Sequence, residues 1–236
     1  MIRSSAAMDT DHLRLAVARE ASATAHALTV KSMRRRTIPL RQIAEDVTKA
    51  AEDRMEHLFA MAQLGEVACG ADCAYCCYVP RVLVTLPELA RILDQVQAWP
   101  ADRIDALKTR LTSHVEAQLD VAPPAAKPPC GLLTGGRCSI YEVRPLVCRG
   151  QHAYDVRECK THCETGTSKL TQLTVVLDTV RGATSGVVTA FEEMGTRVGV
   201  LDLSRALLLA LENPRVIAQA ASGFQSLACA AVTGDI

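Results

Sequence analysis

Nine of the ten cysteines lie between Cys69 and Cys163, and this crowding is the first chemistry the sequence offers. The opening group reads Cys69-Gly-Ala-Asp-Cys73-Ala-Tyr-Cys76-Cys77, and the later group is Cys130, Cys138, Cys148, Cys159 and Cys163. Thiolates are soft ligands that prefer zinc, copper(I) or iron in clusters, and a bound cation itself enforces their deprotonation. Such short gaps let one loop present several sulfurs to a common centre, with the backbone amides of Gly70 and Ala71 able to point at them. A second loop closed on the first completes the ligand set. Thiols this dense oxidise or bridge unless they are occupied. A vicinal Cys76–Cys77 bond is strained. No apolar leader runs from Met1 to Leu28, because Asp9, Asp11, Arg14, Arg19 and Glu20 interrupt it. The expected location is therefore the reducing cytoplasm, where dense cysteines serve metal binding more often than disulfides. Cys229, by itself near the C-terminus, reads as a small buried hydrophobe.

The set holds more thiols than one tetrahedral zinc takes, and three residues separate Cys69 from Cys73, a wider gap than a zinc knuckle usually has. An iron–sulfur cluster accepts cysteines at irregular spacing and is preferred over zinc; two separate metal centres fit the same count. His152 and His162 lie among the late cysteines. Either can replace a thiolate, with its second nitrogen tied to a carboxylate such as Asp155, but both are read first as exposed or hydrogen-bonded loop residues. Arg144 and Arg149 flank Pro145 and Cys148, where their charge can offset that of the thiolates.

Helices must position these loops. Ile43, Val47, Ala50, Ala51, Leu58 and Ala62 recur at helical steps and predict an amphipathic helix from Arg41 to Leu64, capped by Gly65. An earlier alanine-rich stretch, His12 to Thr29, predicts a helix with few apolar anchors, and the basic run Lys31 to Arg36 reads as a solvated linker. Val82 to Thr85 is a candidate strand; Thr85, Pro87 and Glu88 then form a capping box for a helix buried through Leu89, Ile92, Leu93 and Val96. Ile104, Leu107, Leu111 and Val115 predict the second arm of a helical hairpin, ended by the proline-rich linker Ala122 to Pro129. Gly135-Gly136 is a hairpin turn that folds Cys138 back towards Cys130. Between Leu170 and Ile236, two or three further helices follow, with Asp202 and Pro214 as boundary residues. The expected fold is mainly α: a helical domain with a short β-hairpin and irregular cysteine-rich loops around a metal centre. Residues 1–64 are read as an N-terminal helical arm packing on the core, 65–168 as the cysteine-cluster metal-binding region, and 169–236 as helices completing the same domain.

At its cysteines the chain resembles the YkgJ family of cysteine-cluster proteins, described as having a zinc- or iron-chelating domain. One match is Cys69-x3-Cys73-x2-Cys76-Cys77. The other runs from Pro129-Cys130 through Gly135-Gly136, Cys138, Tyr141 and Arg144-Pro145 to Cys148-Arg149. Two ordered motifs are more specific than either one, and they cover roughly Val67 to Cys163. The resemblance implies metal ligation by Cys69, Cys73, Cys76, Cys77, Cys130, Cys138 and Cys148, with Cys159 and Cys163 as additions. Where the family usually has a proline and an aromatic after the first cysteine of the second motif, this chain has Gly131-Leu132. Some relatives are called iron–sulfur oxidoreductases, and flagellin lysine methylases carry a similar cysteine block.

Composition narrows the function. The 236 residues carry 26 basic and 26 acidic side chains, so no polycation for nucleic acid is present. Aromatics at 3% argue against a base-stacking surface, and no apolar run approaches the length of a membrane span. The leading expectation is a metal-binding cysteine-cluster protein, redox-active, structural or part of a modification pathway, with an unidentified protein or small-molecule partner. A radical S-adenosylmethionine enzyme using Cys69, Cys73 and Cys76 is one alternative, although the alternation of strands and helices that class resembles is not evident. A zinc-stapled partner-binding module is another. A cysteine nucleophile is weaker, because His162 beside Cys163 is its only support.

Overall fold

The computed structural model describes residues 5–35, 37–61, 67–70, 72–78, 81–118, 128–165 and 170–232. Nine α-helices order these residues: α1 (Ser5–Met33), α2 (Leu40–Met61), α3 (Leu86–Gln97), α4 (Ala101–Ala117), α5 (Leu146–Arg149), α6 (Val156–Thr165), α7 (Thr174–Glu193), α8 (Leu203–Glu212) and α9 (Arg215–Ala221). Strands are two residues long and form two antiparallel pairs. β1 (Leu83–Val84) lies on β4 (Leu201–Asp202), and β2 (Leu133–Thr134) on β3 (Arg137–Cys138). The chain is mainly α, as its patterning predicts.

Helix α2 buries Ile43, Val47, Ala51 and Leu58 and packs on α1, α3 and α7. The cap expected at Gly65 lies outside the described residues. Helix α1 is longer than its few apolar anchors predict and takes in Lys31, while Arg34 and Arg35 follow it, exposed; Arg36 lies outside the described residues. Backbone proximity explains how so small-sided a helix docks. A Cβ at Gly182 of α7 would stand 2.1 Å from the Ala18 carbonyl oxygen, and one at Gly186 2.1 Å from that of Ser22. The two helices meet main chain to main chain.

The predicted hairpin is α3 and α4. Leu89 and Ile92 of α3 and Leu107 and Leu111 of α4 are fully buried and meet Leu203 and Leu207 of α8 in one core. Asp202 caps α8 by accepting the Arg205 amide, as expected, and Pro214 opens α9. The linker residues 122–127 lie outside the described residues, whereas Pro129 bridges Tyr78. Cys229 departs from expectation: it is exposed, because the turn Ala228–Ala230 directs Leu227 and Ala230 inward and leaves the thiol outside. Among the described residues, no helix is long and apolar enough to cross a membrane.

Glu88 connects this core to the cysteine loops. One carboxylate oxygen accepts from the Thr85 amide and hydroxyl, both at 2.8 Å, and the other accepts from the Leu146 amide at 2.7 Å. The buried side chain thus starts α3 and, 58 residues on, α5, the helix that carries Cys148. Glu88→Gln substitutes a donor for one acceptor and leaves a buried N–H unmet. The expected loss is about 2 kcal/mol, or roughly 4–8 °C in Tm by calorimetry. An unchanged Tm would show that neither cap depends on the carboxylate.

Candidate metal centre

Backbone pairing brings the two cysteine groups together. Tyr75–Cys77 forms a single 3-10 turn, the Cys130 amide donates to the Cys77 carbonyl at 2.7 Å, and Tyr78 bridges Pro129. The turn between β2 and β3 places Gly135 and Gly136 at φ 57° and 77°, the left-handed pair that a two-residue hairpin demands. Gly131 presses on α4, where a Cβ would meet Leu111 at 2.9 Å, so the missing side chain lets this loop sit close to the core. Gly150, at the end of α5, is closed against Val180 of α7 in the same way. Cys159 and Cys163 lie on a helix, α6, that buries none of its residues.

Seven thiols line one cavity of about 350 Å³: Cys69, Cys73, Cys76, Cys77, Cys130, Cys138 and Cys148. A second cavity of about 320 Å³ adjoins it and shares Cys69, Cys73, Cys76 and Cys148, adding Cys159 and His162. His152 and Gln151 line both. Cys163 lines neither, and all ten cysteines are free of disulfides. Among the described residues, no three of the His, Cys, Asp or Glu side chains already stand close enough to hold an ion.

Among the described residues, the amides that face the sulfurs lie elsewhere than Gly70. Ala153 donates to the Cys69 sulfur at 3.3 Å, Leu132 to Cys130 and Ile140 to Cys138; Ala71 lies outside the described residues. Backbone donors leave no side-chain signature, which is why spacing alone could not find them. Arg144 stacks over Tyr141, 3.8 Å from the ring centroid, and its charge favours the ionised forms of Cys76 and Cys138. Arg149 is buried and braces the loop, donating to the Arg144 carbonyl at 2.9 Å, to the Glu142 carbonyl and to Glu52 on α2. Asp155 does not orient a histidine, since Arg157 occupies its carboxylate. The buried Nδ1 of His152 has no hydrogen-bond partner, and burial lowers the pKa of that ring.

Burial pushes the Cys130 thiol up to about 11, and burial with the nearby Cys69, Cys73 and Cys76 does the same to Cys159. Cys148 is driven well above the ordinary thiol value by burial and then by Cys130, Cys76 and Cys138. Cys76 rises through its hydrogen bond with Cys77 and through burial. Without a cation these groups are neutral at pH 7. Metal-free protein is therefore expected to hold its stability up to about pH 9 and to lose it between pH 9 and about 11, because the unfolded chain releases thiol protons that the folded chain keeps. Urea midpoints measured across that window under reductant and chelator check this, and a midpoint that climbs would refute it.

Soft donors from several segments, N–H groups aimed at sulfur, a guanidinium at the rim and an unpaired buried imidazole nitrogen fit a thiolate-bound metal. Residues 68–167 match the family model CxxCxxCC, described as "Putative zinc- or iron-chelating domain". Over that segment the chain is similar to the YkgJ-type cysteine-cluster family. The matched segment, residues 68–167, contains both cavities' thiols, while α1, α2, α7, α8 and α9 lie outside it. No curated protein and no solved structure matches the chain.

Proposed function

We propose that the chain is a metal-binding cysteine-cluster protein in which Cys69, Cys73, Cys76, Cys77, Cys130, Cys138, Cys148 and Cys159 hold iron–sulfur chemistry, with zinc as the alternative occupant. The observation that carries this reading is the convergence of thiols from residues 69–77, 130–148 and α6 on two adjoining cavities. Each cavity is lined by more sulfur than one tetrahedral ion uses, which favours a cluster. When bound, an iron–sulfur cluster supplies one-electron redox capacity. The chain's own residues hold the sulfurs, donate N–H groups to them and offset their charge through Arg144. Ten free cysteines suit a reducing compartment such as the cytoplasm. The radical S-adenosylmethionine alternative finds no support in the fold, since the described strands form two antiparallel pairs and no alternating barrel.

Purification without oxygen, followed by absorption spectroscopy and elemental analysis, tests the proposal. Brown protein with broad absorption that dithionite bleaches supports the cluster; colourless protein with stoichiometric zinc supports the alternative. Protein that carries neither metal overturns the assignment.

A further inference from the structure

The main chain on both sides of His152 is tied to the first cysteine. The Cys69 thiol donates to the Gln151 carbonyl at 3.8 Å, and its sulfur accepts from the Ala153 amide at 3.3 Å. The Ala68 amide donates to the Ala153 carbonyl at 3.0 Å, and the His152 carbonyl accepts from the Leu173 amide at 3.1 Å. Phe59 of α2 meets the imidazole edge to face, at 84° with centroids 5.4 Å apart, which fixes the plane of the ring. The side chain so held lines both cavities, and its buried Nδ1 has no hydrogen-bond partner. A buried polar atom left unmet is costly, and a ligand is one of the few things that can satisfy it. The Arg149 carbonyl also lies within reach of the ring. One nitrogen can keep its proton against a carbonyl while the other offers a lone pair, the division found in metal-bound histidine.

Resting on the metal-binding reading above, we propose that the His152 imidazole is itself a ligand of that centre, which makes the donor set mixed nitrogen and sulfur. Zinc and iron–sulfur sites both accept imidazole in place of a thiolate. A neutral imidazole donates its lone pair and releases no proton. Ligation gives the orphaned ring a partner and, through Phe59, ties α2 to the occupied centre.

The full chain, purified without oxygen and carrying isotopically labelled histidine, tests this. With an iron–sulfur occupant, pulsed EPR of the dithionite-reduced protein should show strong hyperfine coupling to histidine nitrogen; with zinc, X-ray absorption at the zinc edge should show imidazole beside sulfur. His152→Leu should abolish that signature and lower metal affinity about 10-fold or more in competition with a chelator. It should also lower the Tm of loaded protein while leaving that of metal-free protein unchanged or raised, because carbon replaces an unmet nitrogen. His152→Cys should keep the metal and lose the nitrogen signature. Metal held by sulfur alone in the wild type overturns the ligand role, as does a histidine signature that survives in either variant. So does an equal fall in Tm of the loaded and metal-free forms of His152→Leu, the mark of a packing residue. Should His152→Leu fail to fold, the wild-type and His152→Cys spectra decide. Protein with no metal at all sinks the underlying metal-binding reading, whereas metal without nitrogen sinks only the role of His152.

Discussion

Replacing Cys148 by serine is expected to lower metal content and thermal stability together. Cys148 sits on α5, within reach of Cys130, Cys138 and Cys76, where burial keeps its thiol neutral until a cation arrives. Serine keeps the size of the side chain but offers a hard hydroxyl that stays protonated at neutral pH, so it cannot take the place of the thiolate. Structural metal contributes folding free energy directly, and the loss of one ligand removes several kcal/mol of it. For a chain of this length that is a fall of roughly 10 °C or more in Tm. Calorimetry paired with elemental analysis checks both halves. If metal content and Tm both stayed at wild-type values, Cys148 would be a packing residue and the centre would have to be built without it.

The second large effect lies far from sulfur. The double variant Gly182→Ala/Gly186→Ala is expected to unfold at markedly lower temperature, although alanine favours a helix over glycine by about 1 kcal/mol at each site. Sterics decide the sign. Each new methyl would fall 2.1 Å from a main-chain carbonyl oxygen of α1, and a carbonyl in a helix cannot swing aside as a long side chain can. Helix α1 must move bodily or detach from α7, its principal packing partner. Overpacking costs typically about 1–3 kcal/mol per site and more where the neighbour is rigid, so the penalty exceeds the propensity gain. Circular dichroism melts of the single and double variants measure the difference. Equal or higher stability in the double variant would mean that α1 docks more loosely than these distances allow.

Features governed by local rules were legible in the sequence. The Thr85–Glu88 cap, the Gly135-Gly136 hairpin and the Asp202 cap each follow from residues a few positions apart, and each stands where the pattern put it. Helix α1 was underestimated because apolar periodicity looks for large side chains, while α1 docks through the absence of them. Helix α6 escaped notice for a related reason, since it buries no residue and presents Cys159 and His162 to a cavity. The cysteine pattern predicted convergence, and thiols of both groups do line shared cavities, yet spacing could not say that Cys163 lines neither cavity or that Ala153, Leu132 and Ile140 aim their amides at sulfur. Those facts depend on how distant segments cross, as does the second role of Glu88.

That second role has a mechanical outcome. A single buried carboxylate anchors the first turns of α3 and α5, so neither turn can fray without stranding an ionic group in the interior. Native-state hydrogen exchange at the Leu146 amide should therefore follow the opening of the deep core, not that of the surface loop to which it belongs by position. The Cys148 side of the cavity borrows its rigidity from the heart of the molecule, whereas Cys69, at the exposed rim, is held by a hydrogen bond from the Ala153 amide.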